Sequence, residues 1–325
     1  MEVKRRTARS LVDRLQSDGG DEVLAEIRLI SKHDVEIRPL LVDAGTIPLL
    51  ALRLSKDSAI SPDSQENATA ALLNLSISCP EALMSTPGIL DALAAAMRPP
   101  SPPAASQHAA ATLFSLLSVE SFRPIIGSKR SIVSALIELV RSAKSPTRSV
   151  KDGLKALFGI SLYPMNRGMM VEMGAVAALF SLVVKDGRTG IVEDATAVIA
   201  QVAGCGESLE EIRRVAGVWV LVDLVDAATG ASERARENAA SALLNLVMSG
   251  GESALGDIQE VEMAEEAVRE LAECGSSRAK SKAVPLLRAL SSGRRDQQPS
   301  HPKLFEDLDS PGGPPPPPPP SSVSF

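Results

Sequence analysis

The chain has 325 residues and a formal net charge of −6, with 44% apolar but only 2% aromatic residues. An acidic balance argues against a general nucleic-acid binder, which needs a concentrated basic surface. The core must be built from Ala, Leu, Val and Ile, so an all-α chain is expected: Ala and Leu are strong helix formers, and no window alternates apolar and polar residues long enough for a sheet.

Three widely spaced cysteines, Cys79, Cys205 and Cys274, read as free thiols of a reducing compartment rather than a disulfide framework. No stretch resembles a signal peptide, and no run of 18 apolar residues suggests a membrane span. The expected setting is cytoplasmic or nuclear.

In chain order, residues 1–6 read as a basic extension, and "VKRRTAR" (3–9) would aid nuclear entry. Self-similarity then governs residues 7–292. The segment "QENATAALLNLSI" (65–77) returns as "RENAASALLNLVM" (236–248), 171 positions later and close to four periods of 43. Gly45, Gly88, Ser131, Gly174 and Gly217 recur 43 residues apart, each before an apolar helix. A glycine there suits a tight turn with positive φ, or a close approach; Ser131 is expected to bend less comfortably. Units are expected to start near 7, 45, 88, 131, 174, 217 and 258.

One helix recurs at the same pitch. Alignment on Asn74 gives Ser31, Asn74, Ser115, Gly159, Gln201, Asn245 and Arg288; two turns earlier stand Asn67, His108, Asp152, Asp194, Asn238 and Ser281. Ala68, Leu72 and Leu75 mark the buried face. Small residues such as Ala70, Ala71, Ala111, Ala197 and Ala242 separate the two polar rows. Lys155 and Gly159 interrupt the pattern, so that unit is expected to be the least regular.

Helical repeats of this length belong to the armadillo and HEAT class. "AEIRLISKHDVEIRPLLVDAGTIPLL" (25–50), followed by the 65–77 segment, resembles the armadillo repeats of plant U-box proteins. The resemblance implies a right-handed superhelix of about six to seven repeats, an α-solenoid whose third helices line a concave groove. That groove would bind a protein or peptide segment. Its expected contacts are Ser31, Asn67, Asn74, His108, Ser115, Asp152, Asp194, Gln201, Asn238, Asn245 and Arg288. The asparagines would give both a donor and an acceptor to an extended peptide.

The resemblance also implies a part in ubiquitination, but nothing before Arg5 could hold a U-box, so the chain alone should not transfer ubiquitin. An importin-α-like adaptor is the alternative. Its groove tryptophans are replaced here by Ala70, Ala111, Lys155, Ala197 and Ser241, and the single tryptophan, Trp219, falls on another helix. A signalling or cytoskeletal scaffold is a further one.

No constellation for catalysis is present. His33, His108 and His301 lie in separate units or the tail, no Cys/His spacing suits zinc, and no phosphate loop or nucleophile elbow occurs. No metal or cofactor is expected, and the chain is read as a monomer. Basic residues dominate from Arg123 to Lys155 and acidic ones from Glu252 to Glu273, a bipolar distribution that could steer a charged partner.

Ser61-Pro62, Ser101-Pro102 and Ser145-Pro146 punctuate loops and match proline-directed phosphorylation sites. Pro285 falls inside the expected last helix. Residues 293–325 read as a disordered tail. Within it, "KLFEDL" (303–308) offers a short docking element, and seven prolines, Pro314 to Pro320, suit an SH3- or profilin-like groove.

Overall fold

The computed structural model describes residues 1–17, 20–54 and 61–296, with side chains to residue 292. The 303–308 segment and the Pro314–Pro320 run lie outside the described residues, which form helices and no strand.

A half-unit, α1 (Glu2–Ser17) and α2 (Asp21–His33), opens the array. Three-helix units follow: α3 (Ile37–Asp43), α4 (Thr46–Arg53) and α5 (Pro62–Ser78); then α6 (Pro80–Met84), α7 (Ile89–Ala96) and α8 (Pro103–Leu117). The third comprises α9 (Arg123–Gly127), α10 (Arg130–Arg141) and α11 (Thr147–Ser161); the fourth, α12 (Arg167–Glu172), α13 (Ala175–Lys185) and α14 (Thr189–Val202). The fifth has α15 (Ser208–Arg214), α16 (Gly217–Val225) and the front of α17 (Glu233–Gln259). Gly251, at φ 58° and ψ −140°, breaks α17. The rear of that helix opens the last unit, with α18 (Ala264–Cys274) and α19 (Ser277–Asp296).

The third helices α2, α5, α8, α11, α14, α17 and α19 pack successively against one another, and α4, α7, α10, α13, α16 and α18 form the layer behind them. This is the armadillo superhelix, with the third helices as its concave wall. The expected starts near 45, 88, 174 and 217 coincide with second helices, so each three-helix unit begins one short helix earlier.

Burial follows the helical period. In α5, Ala68, Ala71, Leu72 and Leu75 are fully buried, and Ala109, Ala110, Leu113 and Leu116 repeat the pattern in α8. Each buried Leu contributes roughly 1.5–3 kcal/mol, while the alanines let neighbouring third helices approach closely.

Gly45, Gly88 and Gly174 take φ of 90°, 77° and 83° directly before α4, α7 and α13, as the spacing predicts. Two turns differ. Ser131 is not a turn residue: it lies inside α10, which starts earlier, after Lys129 at φ −83° and ψ 98°. In the fifth unit the left-handed residue is Ala216, at φ 51°. Gly217 answers a close approach instead, because a Cβ there would stand 2.7 Å from the Phe180 ring.

The unit expected to be least regular has an unbroken third helix. A Cβ on Gly159 would meet Leu117 at 2.9 Å, and one on Gly153 would meet Val140 at 2.9 Å. These glycines let α11 nest against α8 and α10. Pro285 lies within α19, which continues through it.

Third helices end in carbonyls with no helical N–H left to bind them, and arginines reach back to satisfy several. Arg38 Nε donates to Ser31 O at 2.7 Å, Arg123 Nε to Leu117 O at 3.2 Å, and Arg167 Nε to Ser161 O at 2.9 Å. At the front, the basic residues lie on α1, and Lys4 Nζ bonds Asp34 and Glu36 at 2.9 and 2.7 Å.

The left-handed turns give an opposed pair of expectations. Gly174→Ala should cost about 1–2 kcal/mol, because a Cβ strains that conformation. Ala216→Gly should leave stability unchanged or raise it. Urea-unfolding midpoints check both; equal losses from the two substitutions would refute the account.

Candidate functional site: the concave groove

The two polar rows lie on the third helices as the alignment requires, but their side chains are not equally available. Ser31 is fully buried, and its Oγ donates to Arg28 O at 3.0 Å. It sits beneath the wall, whereas Arg288 is exposed near the far end. Asn67, Asn74, His108, Ser115, Asp152, Asp194, Gln201, Asn238 and Asn245 are half-buried along the groove.

The asparagine donors already have partners in the preceding unit. Asn74 Nδ2 bonds Ser31 Oγ at 3.1 Å and Arg28 O at 3.3 Å. Asn245 Nδ2 bonds Ala200 O, in the last turn of α14, at 2.7 Å. Asn238 Nδ2 bonds Glu193 O at 3.0 Å. The expectation that these amides keep their donors for a partner therefore needs correction. Consecutive third helices lie close enough for the amide to reach the neighbour's carbonyl: Asn74 and Asn238 each direct two bonds from Nδ2 into the array, Asn245 one.

Other row members are tied in the same way. Asn67 Oδ1 accepts from Arg28 at 2.8 Å, Asp152 Oδ2 from Gln107 at 3.0 Å, and Gln201 Oε1 from Arg167 at 3.0 Å. Two members of the earlier row stand apart: His108 Nδ1 and Asp194 Oδ2 are buried and have no hydrogen-bond partner among the described residues. Burial holds the His108 imidazole below its ordinary pKa, helped by Arg28 and Arg148 and opposed by Glu66 and Asp152. Burial raises Asp194, against the pull of Lys151, Arg234 and Lys155.

The groove carries recessed carboxylates under exposed cations. Asp152, Asp194 and Glu237 side chains are 15%, 16% and 17% exposed, against 63% for Arg234 and 86% for Arg278. Lys155 Nζ lies 5.9 Å from the centroid of the Phe114 ring, within cation–π range. Between α14, α17 and α19 the wall hollows into a cavity of about 480 Å³, lined among others by Phe158, Gln201, Asn238, Ser241 and Lys282. A cavity of about 570 Å³ between α4 and α7 lies in the outer layer; its lining, with Pro48, Leu52 and Ala95, has little polar chemistry to orient a ligand.

Sequence reasoning missed the capping arginines, although "EIRPLL" (36–41), "SFRPII" (121–126) and "MNRGMM" (165–170) carry them near the repeat period. Among the described residues no cluster of three or more His, Cys, Asp or Glu could hold a metal ion. Burial raises the Cys79 thiol, with Asp43 and Glu81 adding to the effect, and the Cys205 thiol is pushed up to about 11. Both are poor nucleophiles at neutral pH.

Comparison with known proteins follows the same line. The model of the plant U-box protein ARM repeat region matches residues 4–300. U-box domain-containing protein 16 of Arabidopsis thaliana is 29% identical over 283 residues, covering 86% of this chain and 40% of its own length. U-box domain-containing protein 4 of Oryza sativa subsp. japonica is 32% identical over 321 residues, covering 95% of this chain and 41% of its own. The chain thus spans about two-fifths of these relatives.

Among solved structures, an engineered protein from the Northeast Structural Genomics Consortium superposes with a TM-score of 0.75 at 23% identity, over 87% of this chain and 68% of that one. A designed armadillo repeat protein in complex with peptide (KR)4 gives 0.50 at 18% identity, over 87% and 98%. At such identities the likeness concerns the fold.

His108 makes stability depend on pH. Its folded pKa lies below the unfolded value near 6.5, so the unfolded chain takes up the proton first. Stability is retained above pH 6.5 and falls as pH drops toward the folded pKa. His108→Gln should flatten that loss between pH 7.5 and 5.5, measured as the shift in urea midpoint; an unchanged slope would refute it.

Proposed function

The chain belongs to the plant U-box protein family through its armadillo-repeat region, and on that premise we propose that its concave face binds an extended segment of a partner protein without catalysing a reaction. The observation that carries this reading is the unbroken wall of third helices with small side chains between its polar rows and a polar cavity near its end. Asn74 and Asn245, pinned through Nδ2 to the preceding unit, present their oxygens in a fixed position to a partner's backbone N–H. The designed relative in complex with peptide (KR)4 supports peptide binding as a use of this fold.

The finer proposal is a recognition module for ubiquitination. In this reading the repeats select the target, and a U-box recruits the conjugating enzyme. The action would be cytoplasmic or nuclear, with Pro314–Pro320 as a separate docking element for an SH3- or profilin-like partner. The importin-α reading has no favouring observation: Trp219 stands on α16, in the outer layer.

Ser241 and Ala197 line the cavity and are half-buried, so Ser241→Arg and Ala197→Arg should fill the groove. Extended peptides selected by display against the full chain should lose at least about tenfold in affinity for either variant, equivalent to 1.4 kcal/mol, while circular dichroism stays unchanged. Capture of the same peptides by both variants would refute the groove reading. In a reconstituted ubiquitination assay the chain alone should form no conjugates.

A further inference from the structure

The cavity at the end of the groove has a charge pattern of its own. α17 and α19 bring Arg234, Arg278 and Lys282 to its wall. Arg278 Nε bonds Glu237 at 3.1 Å, yet its side chain is 86% exposed. Arg234 lies 3.9 Å from Glu193 and from Asp194, at the outer limit of an ion pair. Lys282 has no ion pair among the described residues. The carboxylates nearest this group are recessed: the Glu237, Glu193 and Asp194 side chains are 17%, 21% and 16% exposed. The cations therefore stand at the rim while their counter-charges lie deeper, and half-buried Phe158 gives the cavity an apolar end. Such a site takes a short acidic segment that also carries a bulky apolar residue.

The chain contains one. Leu304-Phe305-Glu306-Asp307-Leu308-Asp309 sets three carboxylates behind two large apolar side chains. α19 supplies Arg278 and Lys282 and runs to Asp296. Lys282 to Asp296 spans fourteen residues of helix, or about 21 Å. The ten residues from Asp296 to Glu306 reach about 33 Å when extended, which is enough to double back along α19 to the rim.

We infer that residues 304–309 occupy this cavity within the same chain, their carboxylates meeting Lys282, Arg278 and Arg234 and Phe305 packing toward Phe158. This inference rests on the concave face being a binding surface. A partner segment reaching that end of the groove must displace the tail. Tethering raises the local concentration to about millimolar, so a segment with an intrinsic Kd of about 0.1 mM would fill the site about nine-tenths of the time and weaken a competitor about tenfold. The contact is charge-driven and weakens with salt.

The test uses the full chain and a fluorescein-labelled peptide of residues 301–311, read by fluorescence anisotropy at low salt. Glu306→Gln/Asp307→Asn/Asp309→Asn, made together in the chain, should bind the peptide about tenfold more tightly than the wild type, because its own segment no longer competes. Adding Arg278→Glu/Lys282→Glu should abolish that binding, with unchanged circular dichroism. Equal affinities of wild type and tail variant overturn occupancy by the tail. Binding that survives Arg278→Glu/Lys282→Glu, or no binding to any variant, overturns the site. The groove reading fails separately, when display-selected peptides bind Ser241→Arg as well as wild type. If those peptides lose affinity for Ser241→Arg while the tail peptide binds nothing, only the tail inference falls.

Discussion

Each unit buries its third helix against the third helix of the unit before it, and the contact is made of alanine, glycine and the inner side of leucine. Ala71, Ala109, Ala110, Ala195 and Ala239 are fully buried, and Gly159 is in effect moulded around Leu117. Little aromatic bulk is available to hold the helices apart. The stack is therefore close, and the backbone of one unit comes within hydrogen-bonding reach of the side chains of the next.

That closeness creates a polar problem and solves it. The C-terminal carbonyls of α2, α8, α11 and α14 end among neighbouring helices, where an unpaired acceptor is costly. Arg38, Arg123 and Arg167 answer some of them from the chain just downstream. Asn245 and Ser249 answer α14 from the following third helix, at Ala200 O and Ala203 O. Asn245 also lies along the groove, so the concave face and the joints of the array share side chains.

The electrostatics follow from the same geometry. Residues on the inner turns, such as Asp152 and Asp194, are recessed, while longer cationic side chains extend over them. In the earlier polar row, Asn67, Asp152 and Asn238 bond to the preceding unit, while His108 and Asp194 each keep one buried atom with no partner among the described residues. The wall thus alternates between satisfied and unsatisfied positions from unit to unit. Stability in such an array is a sum over neighbours, and the opening half-unit is held by contacts to the first three-helix unit. Asp21 is bonded by Ser61 and Ser64, and Arg53 bonds Leu15 O at 3.3 Å.

The sequence by itself determined the all-helical class, the 43-residue period, the recurring helix aligned on Asn74 and the left-handed glycines at 45, 88 and 174. These follow from residue type and spacing along one helix, which a linear pattern records. Only the tertiary structure decided that Ser131 is helical, that Gly217 and Gly159 serve close packing, that Ser31 is buried, and that Asn74 and Asn245 turn their amide nitrogens into the array. Each of these depends on how near one helix comes to the helix about 43 residues away, and that distance is set by the collective fit of many side chains, which no local pattern states.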